Sequence, residues 1–303
     1  MTSNKMWQHI DLDGALADVA RALRWPTITA RSWGPRLRFC SPAAEMDAFY
    51  EWVKPQLTPY TLFGSGDFHH LSALWQRQVT EPYVLLTFDN HPDWDVRPPH
   101  WACGGWVNRA LENPLVAEAQ VWGCGNFELS WPNRLFANHA AMRAGKLTVR
   151  PWMERFTPKD QARYRCITRT NWLEEFTQQV ALWKGKNVYV SVDIDCLAPL
   201  QSFTNWENGL FEPVDVAEAI RVLRTGTNVI GGDLCGIYSA ESYARWTQKF
   251  CAGFDHPSAL TSFCERNLEF VSERNQHAIE TIWRALVNDE KGLGLPTQSP
   301  VQF

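Results

Sequence analysis

Three stretches of the chain are unbroken apolar runs that stop abruptly on charge. YVLLTF, residues 83–88, leads into DNHPDWD; NVYVSV, residues 187–192, leads into DIDC; and YTLF, residues 60–63, breaks at Gly64 and Gly66 before reaching His69 and His70. Runs without polar alternation mark strands buried on both faces, as in a parallel sheet covered by helices. Further strands are expected at 119–125 (AQVWGCG) and 228–234 (NVIGGDL). Helical spacing takes over at 171–184, at 213–224 with Pro213 at its start, around 264–288, and after the His pair, where Leu71, Leu74 and Trp75 stand at i, i+3 and i+4. Strands alternating with helices predict a single α/β domain, a three-layer α/β/α sandwich around a mostly parallel sheet with right-handed crossovers. No internal repeat or Pro/Gly/Ser-rich linker divides residues 1–290, and the polar, proline-broken stretch 291–303 reads as a tail or packing strap.

The charge at the strand ends is where chemistry enters. Open α/β sheets place ligands at the carboxyl ends of their strands. Asp89, His91 and Asp93 stand there at i, i+2 and i+4, a spacing that turns alternate side chains toward one point on extended chain. Asp193 and Asp195, at i and i+2, also point one way, and burying two carboxylates together is costly unless cations neutralise them. The four acids carry the charge of two divalent ions. Either His69 or His70, at a strand-to-helix junction, is within reach of such a metal. Oxygen and imidazole ligands converging this way suit a divalent metal.

GDFHH, DNHPD and SVDIDCLAP, in this order, resemble the three metal-ligand motifs of the arginase and agmatinase family, the ureohydrolases. The resemblance spans residues 61–236. It implies an arginase-like fold and two Mn²⁺ held by His69, Asp89, His91, Asp93, Asp193 and Asp195. Asp89 and Asp193 would bridge both ions, His69 and Asp93 completing one and His91 and Asp195 the other. Phe68 intrudes into the first motif; aligning backward from the helix puts His69 at the ligand position, with His70 as the alternative. The implied reaction is attack by a metal-activated hydroxide on a guanidino carbon, with Asp93 orienting the nucleophile and carrying a proton to the leaving amine.

Departures from the family bear on the substrate. Where its guanidinium-binding glutamate would stand, GGDLCGIY has Gly236, although Asp233 is in register and is a candidate substrate acceptor. The general-acid histidine has no clear counterpart, since Trp106 and Asn108 occupy that region, and His100 is the nearby candidate. Glu241, five residues beyond Gly236, is the acid nearest in sequence to replace the missing glutamate. Many of the 16 tryptophans flank the motifs (Trp75, Trp94, Trp101, Trp106, Trp122, Trp206, Trp246), which fits an extended or peptide substrate. The stretch from Asp89 to Leu111 also resembles the branch that includes peptide arginases, which convert arginine side chains of a peptide to ornithine and urea. The alternatives are a hydrolase of a small free guanidino or amidino compound, anchored by Asn126 and Glu128, and a non-catalytic metal- and peptide-binding homologue.

The formal net charge of -4 and the lack of a basic run give no footprint for nucleic acid. MTSNKMWQHIDLDG has no apolar leader core, and no apolar run reaches membrane-spanning length, so a cytoplasmic protein without membrane partners is expected. A homo-oligomer remains open. The eight cysteines include no Cys-x-x-Cys, so inert buried thiols are expected rather than a structural zinc site.

Overall fold

The computed structural model describes residues 6–289 and 293–294. Its main sheet is built from β1 (Trp7–Asp11), β2 (Thr27–Thr29), β3 (Tyr60–Phe63), β4 (Tyr83–Phe88), β5 (Val116–Trp122), β6 (Leu147–Arg150), β7 (Asn187–Asp193) and β8 (Asn228–Cys235). Their spatial order is β2-β1-β3-β8-β7-β4-β5-β6, with every neighbouring pair parallel. All carboxyl ends therefore meet one edge. Strands β3, β8, β7 and β4 are adjacent there, and these are the strands whose apolar runs stop at glycine, cysteine or acid.

The helices used below are α1 (Ala43–Val53), α2 (Trp106–Leu111), α3 (Trp172–Leu182), α4 (Pro213–Gly226), α5 (Trp246–Asp255), α6 (Ser258–Arg266) and α7 (Leu268–Val287). Against one face of the sheet (Leu86, Val190, Leu234), α3, α4 and α7 bury Phe176, Ile220 and Ile282. Against the other face (Phe63, Leu85, Tyr189), α1 and α2 bury Phe49 and Trp106. The chain is thus an α/β/α sandwich, and alternate residues of each strand serve opposite cores, which is why the strands carry no polar alternation.

Two elements differ from expectation. The strand expected at 119–125 is Val116–Trp122, because Gly123, at φ +94°, turns the chain out of the sheet. The helix around 264–288 is two helices, broken at Asn267 (φ -131°, ψ 37°). The 291–303 stretch lies outside the described residues except at Leu293 and Gly294; Leu293 is buried, and its carbonyl accepts from Trp25 Nε1 at 2.8 Å.

Candidate metal centre

Each site side chain is set by the element it ends. β4 delivers Asp89, and the next turn is closed by carboxylates: Asp89 Oδ1 accepts from the His91 amide at 2.7 Å, and Asp195 Oδ1 from the Asn90 amide at 3.0 Å. β7 ends on Asp193, whose Oδ1 accepts from the Asp195 amide at 3.0 Å. Asp93 adopts a left-handed backbone, φ 47°, a conformation that costs a non-glycine residue energy and gathers at functional sites. After β3 the chain forms a 3-10 turn, Gly66–Leu71, capped by Ser65, whose hydroxyl accepts from the Asp67 amide at 3.2 Å. A single α-turn, Ser72–Trp75, follows.

These elements bring together the six residues the motifs single out. His69 Nδ1 lies 3.1 Å from Asp89, 3.4 Å from Asp93 and 3.5 Å from Asp193. His91 Nδ1 lies 2.7 Å from Asp195 and 3.7 Å from Asp89. The potential ligand atoms fall into overlapping groups, His69/Asp89/Asp93, Asp89/His91/Asp195 and His69/Asp193/Cys235, so Asp89 joins two centres. Cys235 lies beside Asp193, its Sγ 3.6 Å from Oδ2, and burial pushes its thiol pKa well up, so it stays protonated. His70 is buried, with no ring hydrogen bond and no ion pair to a carboxylate among the described residues, and that burial holds it near 3, hence neutral.

The ring of His69 is oriented from behind. Its Nε2 is 2.9 Å from Ser191 Oγ, which donates to Asp233 Oδ1 at 2.6 Å. Ser191 can therefore only accept from His69, so Nε2 carries a proton and Nδ1 is the ring atom that faces the carboxylates. Asp233 also accepts from Ser72 and Tyr189, at 2.9 and 2.8 Å, and is fully buried. It supports the site from beneath and does not line the cavity, which corrects its assignment to substrate.

Electrostatics shows what this arrangement lacks. Burial, then the charge of Asp89, raises Asp93 and Asp195 to about 7, and burial with Asp195 raises Asp193 well above the carboxylate range. Burial opposes charge on His69 and His91 too, but the surrounding carboxylates outweigh it and push both well up. Protein groups alone therefore leave the acids under-neutralised. Asp89 Oδ2 and His91 Nε2 are buried without a hydrogen-bond partner. A donor set of carboxylate oxygens and imidazole nitrogens, short of positive charge, fits hard divalent cations such as Mn²⁺.

The ligand cluster lines a cavity of about 440 Å³. Other acids along it are Asp95, Glu128, Glu207 and Asp255, and Arg97 is the only Lys or Arg among the described lining residues. That arginine is already engaged: Asp95 accepts from its Nε at 2.9 Å, and the guanidinium lies 3.9 Å over the Phe136 ring. Glu128 is lifted to about 8 by burial, and its Oε2 has no partner. Asn126 lines the cavity and caps the following turn, its Oδ1 accepting from the Glu128 amide at 2.9 Å.

No family model matches the chain. A curated relative from Thermotoga maritima, described only as an uncharacterized protein, is 24% identical over 188 residues, and the match covers 61% of each chain, less than two thirds of that relative. Among solved structures, formimidoylglutamase from Bacillus subtilis matches at 13% identity over 89% of this chain and 87% of that one, with a TM-score of 0.51. Arginase from Bacillus subtilis matches at 11% identity over 92% of this chain and 98% of that one, also at 0.51. The fold is that of the ureohydrolases.

On this ureohydrolase fold, some sequence assignments need correction. His100 is exposed on the surface beside Arg109 and Glu112 and does not line the cavity. Glu241 also lies outside it: its carboxylate accepts from His256 Nδ1 at 2.7 Å, and His256 Nε2 in turn reaches Asp67 at 2.8 Å. Gly236 cannot be replaced by a glutamate in this backbone, because at φ +101° a Cβ would come within 2.1 Å of Asp193 Oδ1. Of the flanking tryptophans, Trp94 and Trp206 line the cavity, Trp246 is exposed and the others are core. No motif singles out Glu207 or Asp255; Glu207 lies in the loop after SVDIDCLAP, the one signal that could have found it.

Among the described residues, no helix is long and apolar enough to cross a membrane.

Proposed function

We propose that this protein is a binuclear manganese hydrolase that cleaves a guanidino C–N bond, converting arginine side chains in a peptide to ornithine with release of urea. One observation carries the reading: two imidazole–carboxylate groups sharing Asp89 lie along an acid-lined cavity. His69, Asp89, Asp93 and Asp193 would hold one ion, and Asp89, Asp193, His91 and Asp195 the other. When bound, the pair supplies Lewis acidity and a hydroxide nucleophile at neutral pH.

The chain's own groups do the rest. A guanidinium offers five N–H donors and needs acceptors on all sides. Glu128, with a free buried oxygen, together with Glu207 and Asp255, offers them from the cavity wall. Trp206, Phe136 and Phe254 narrow the cavity and limit water around the reacting carbon. Water adds to the guanidino carbon, the C–N bond to the side-chain nitrogen breaks, and that nitrogen leaves as a primary amine once protonated. Asp93, in the cavity and under strain, is placed to orient the nucleophile and pass that proton. The wall favours a peptide over free arginine, since the lining arginine is bound to Asp95 and offers no free partner for an α-carboxylate.

The test is urea release by manganese-loaded protein from free arginine, agmatine and a short peptide with a single internal arginine. The reading predicts the highest kcat/KM for the peptide. A higher value for either small compound would replace it with the small-molecule alternative, and no urea from any of them would leave the non-catalytic one.

A further inference from the structure

Helix α5 carries Trp246, Phe250 and Phe254 at i, i+4 and i+8, and all three stand in solvent, 78, 59 and 75% exposed. They form one stripe, with ring centroids 6.3 Å apart for the first pair and 4.8 Å for the second. The helix does not need them for its own packing. Its buried side is Gln248 and Ala252, and Gln248 Nε2 donates to the carbonyls of Arg38 and Cys40 at 2.6 and 3.0 Å. Both ends are pinned: Arg245 pairs with Glu45 at 2.6 Å, and His256, just past the C-terminus, bridges Asp67 and Glu241. A rigid helix that holds aromatic side chains in water has its ordering cost settled before any ligand arrives.

The stripe runs into the cavity. Phe254 and Asp255, at its end, line the cavity wall. Eight residues of helix rise about 12 Å, the span of about four residues of extended chain. Contiguous exposed apolar surface of this kind marks a binding face. We infer that α5 is the docking face for apolar residues flanking the reacting arginine of a peptide substrate, within about four positions of it. The inference rests on the peptide reading above and deepens it: the acids of the cavity take the cationic side chain, and the aromatic stripe takes its apolar neighbours.

The test compares two fluorescently labelled peptides with one internal arginine, one flanked by leucine and phenylalanine and the other by serine at the same positions. Full-length, manganese-loaded protein should bind the apolar peptide at least about tenfold more tightly, the value of burying one such side chain. In the Trp246→Ser/Phe250→Ser variant, and to a smaller degree in Phe250→Ser alone, the ratio of dissociation constants should fall toward one. A ratio near one in the unsubstituted protein, or a ratio the variants preserve, overturns the docking face. So does a variant whose only change is a shift from dimer to monomer in gel filtration, or loss of cosedimentation with phosphatidylcholine vesicles, because the stripe then serves a second copy or a lipid surface. Urea assays on the same peptides separate the two claims. Binding that follows the flanks without urea release leaves docking standing and removes the hydrolase, whereas equal urea release from both peptides, with equal affinity, does the reverse.

Discussion

Two clusters of buried charge lie within a few residues of each other, and they are built in opposite ways. Around Asp67 the charges balance: Arg38 Nε donates to Oδ2 at 2.6 Å, His256 Nε2 meets Oδ1 at 2.8 Å, and Trp206 Nε1 donates to the same oxygen at 3.1 Å. Despite burial, His256 and Arg38 hold the Asp67 carboxyl below its usual range. Around Asp89 the charges do not balance, and burial with mutual repulsion pushes Asp93, Asp193 and Asp195 up. A cluster completed by protein groups stabilises the fold. One left short of positive charge costs stability until a cation supplies what is missing.

Breaking the incomplete cluster should have the largest effect on activity. Asp193→Ala removes a carboxylate from it, and urea release should fall on the order of a thousandfold while the protein stays folded by circular dichroism. Activity within tenfold of the unsubstituted protein, at equal protein concentration, would show that Asp193 holds nothing needed for the reaction.

The complete cluster should answer with stability. Arg38→Met leaves Asp67 buried beside only His256, and chemical denaturation should show a loss of about 3 to 5 kcal/mol. Because the variant breaks the balanced cluster alone, manganese bound per folded chain should not change; a loss of metal with little loss of stability would invert the comparison.

The clusters should also separate by pH. Burial opposes the charge on His256, but Asp67 and Glu241 outweigh it and raise it to about 9. A raised imidazole stabilises fully below its unfolded value of about 6.5 and loses that contribution as pH rises through about 9, a change of about 3 kcal/mol. Asp93 and Asp195, raised to about 7, likewise favour the fold at low pH and lose that contribution as pH rises from about 4 through 7. Denaturation of chelated protein should therefore show stability falling across both windows, the raised His69 and His91 adding to the upper one, and added Mn²⁺ should remove the lower window and leave only the His256 part of the upper. A single window that ignores manganese would contradict the distinction.

The smallest effect is expected one layer behind the ligands. Ser191→Ala removes the acceptor that fixes the His69 ring, and manganese affinity should weaken by about 10- to 100-fold. An unchanged affinity by calorimetry would mean the ring is held by packing against Trp106, 4.6 Å away, rather than by Ser191.

What the sequence made legible follows the same division. Strand ends carry their chemistry in consecutive positions, so the parallel sheet and the convergence of Asp89, His91, Asp93, Asp193 and Asp195 could be read from apolar runs ending in acid. His69 needed an alignment, and the structure brings it, rather than His70, to the carboxylates. The cavity wall was harder to see, because it depends on how distant segments dock. Asp255 reaches the cavity only because α5 is pinned against Arg36–Cys40 through Gln248. Glu241 was the acid nearest in sequence to the missing glutamate, yet His256, fifteen residues later, captures it. His100 failed for a similar reason: its loop turns outward to Arg109. Nothing in the spacing of single residues encodes such pairings.

The proposed function requires two divalent cations to complete the cluster around Asp89. Protein stripped with chelator, reloaded with manganese, and analysed by inductively coupled plasma mass spectrometry after gel filtration tests it directly. About two manganese ions per chain are expected, with the count falling in Asp193→Ala and not in Arg38→Met. A count of one or fewer in the unsubstituted protein would contradict it.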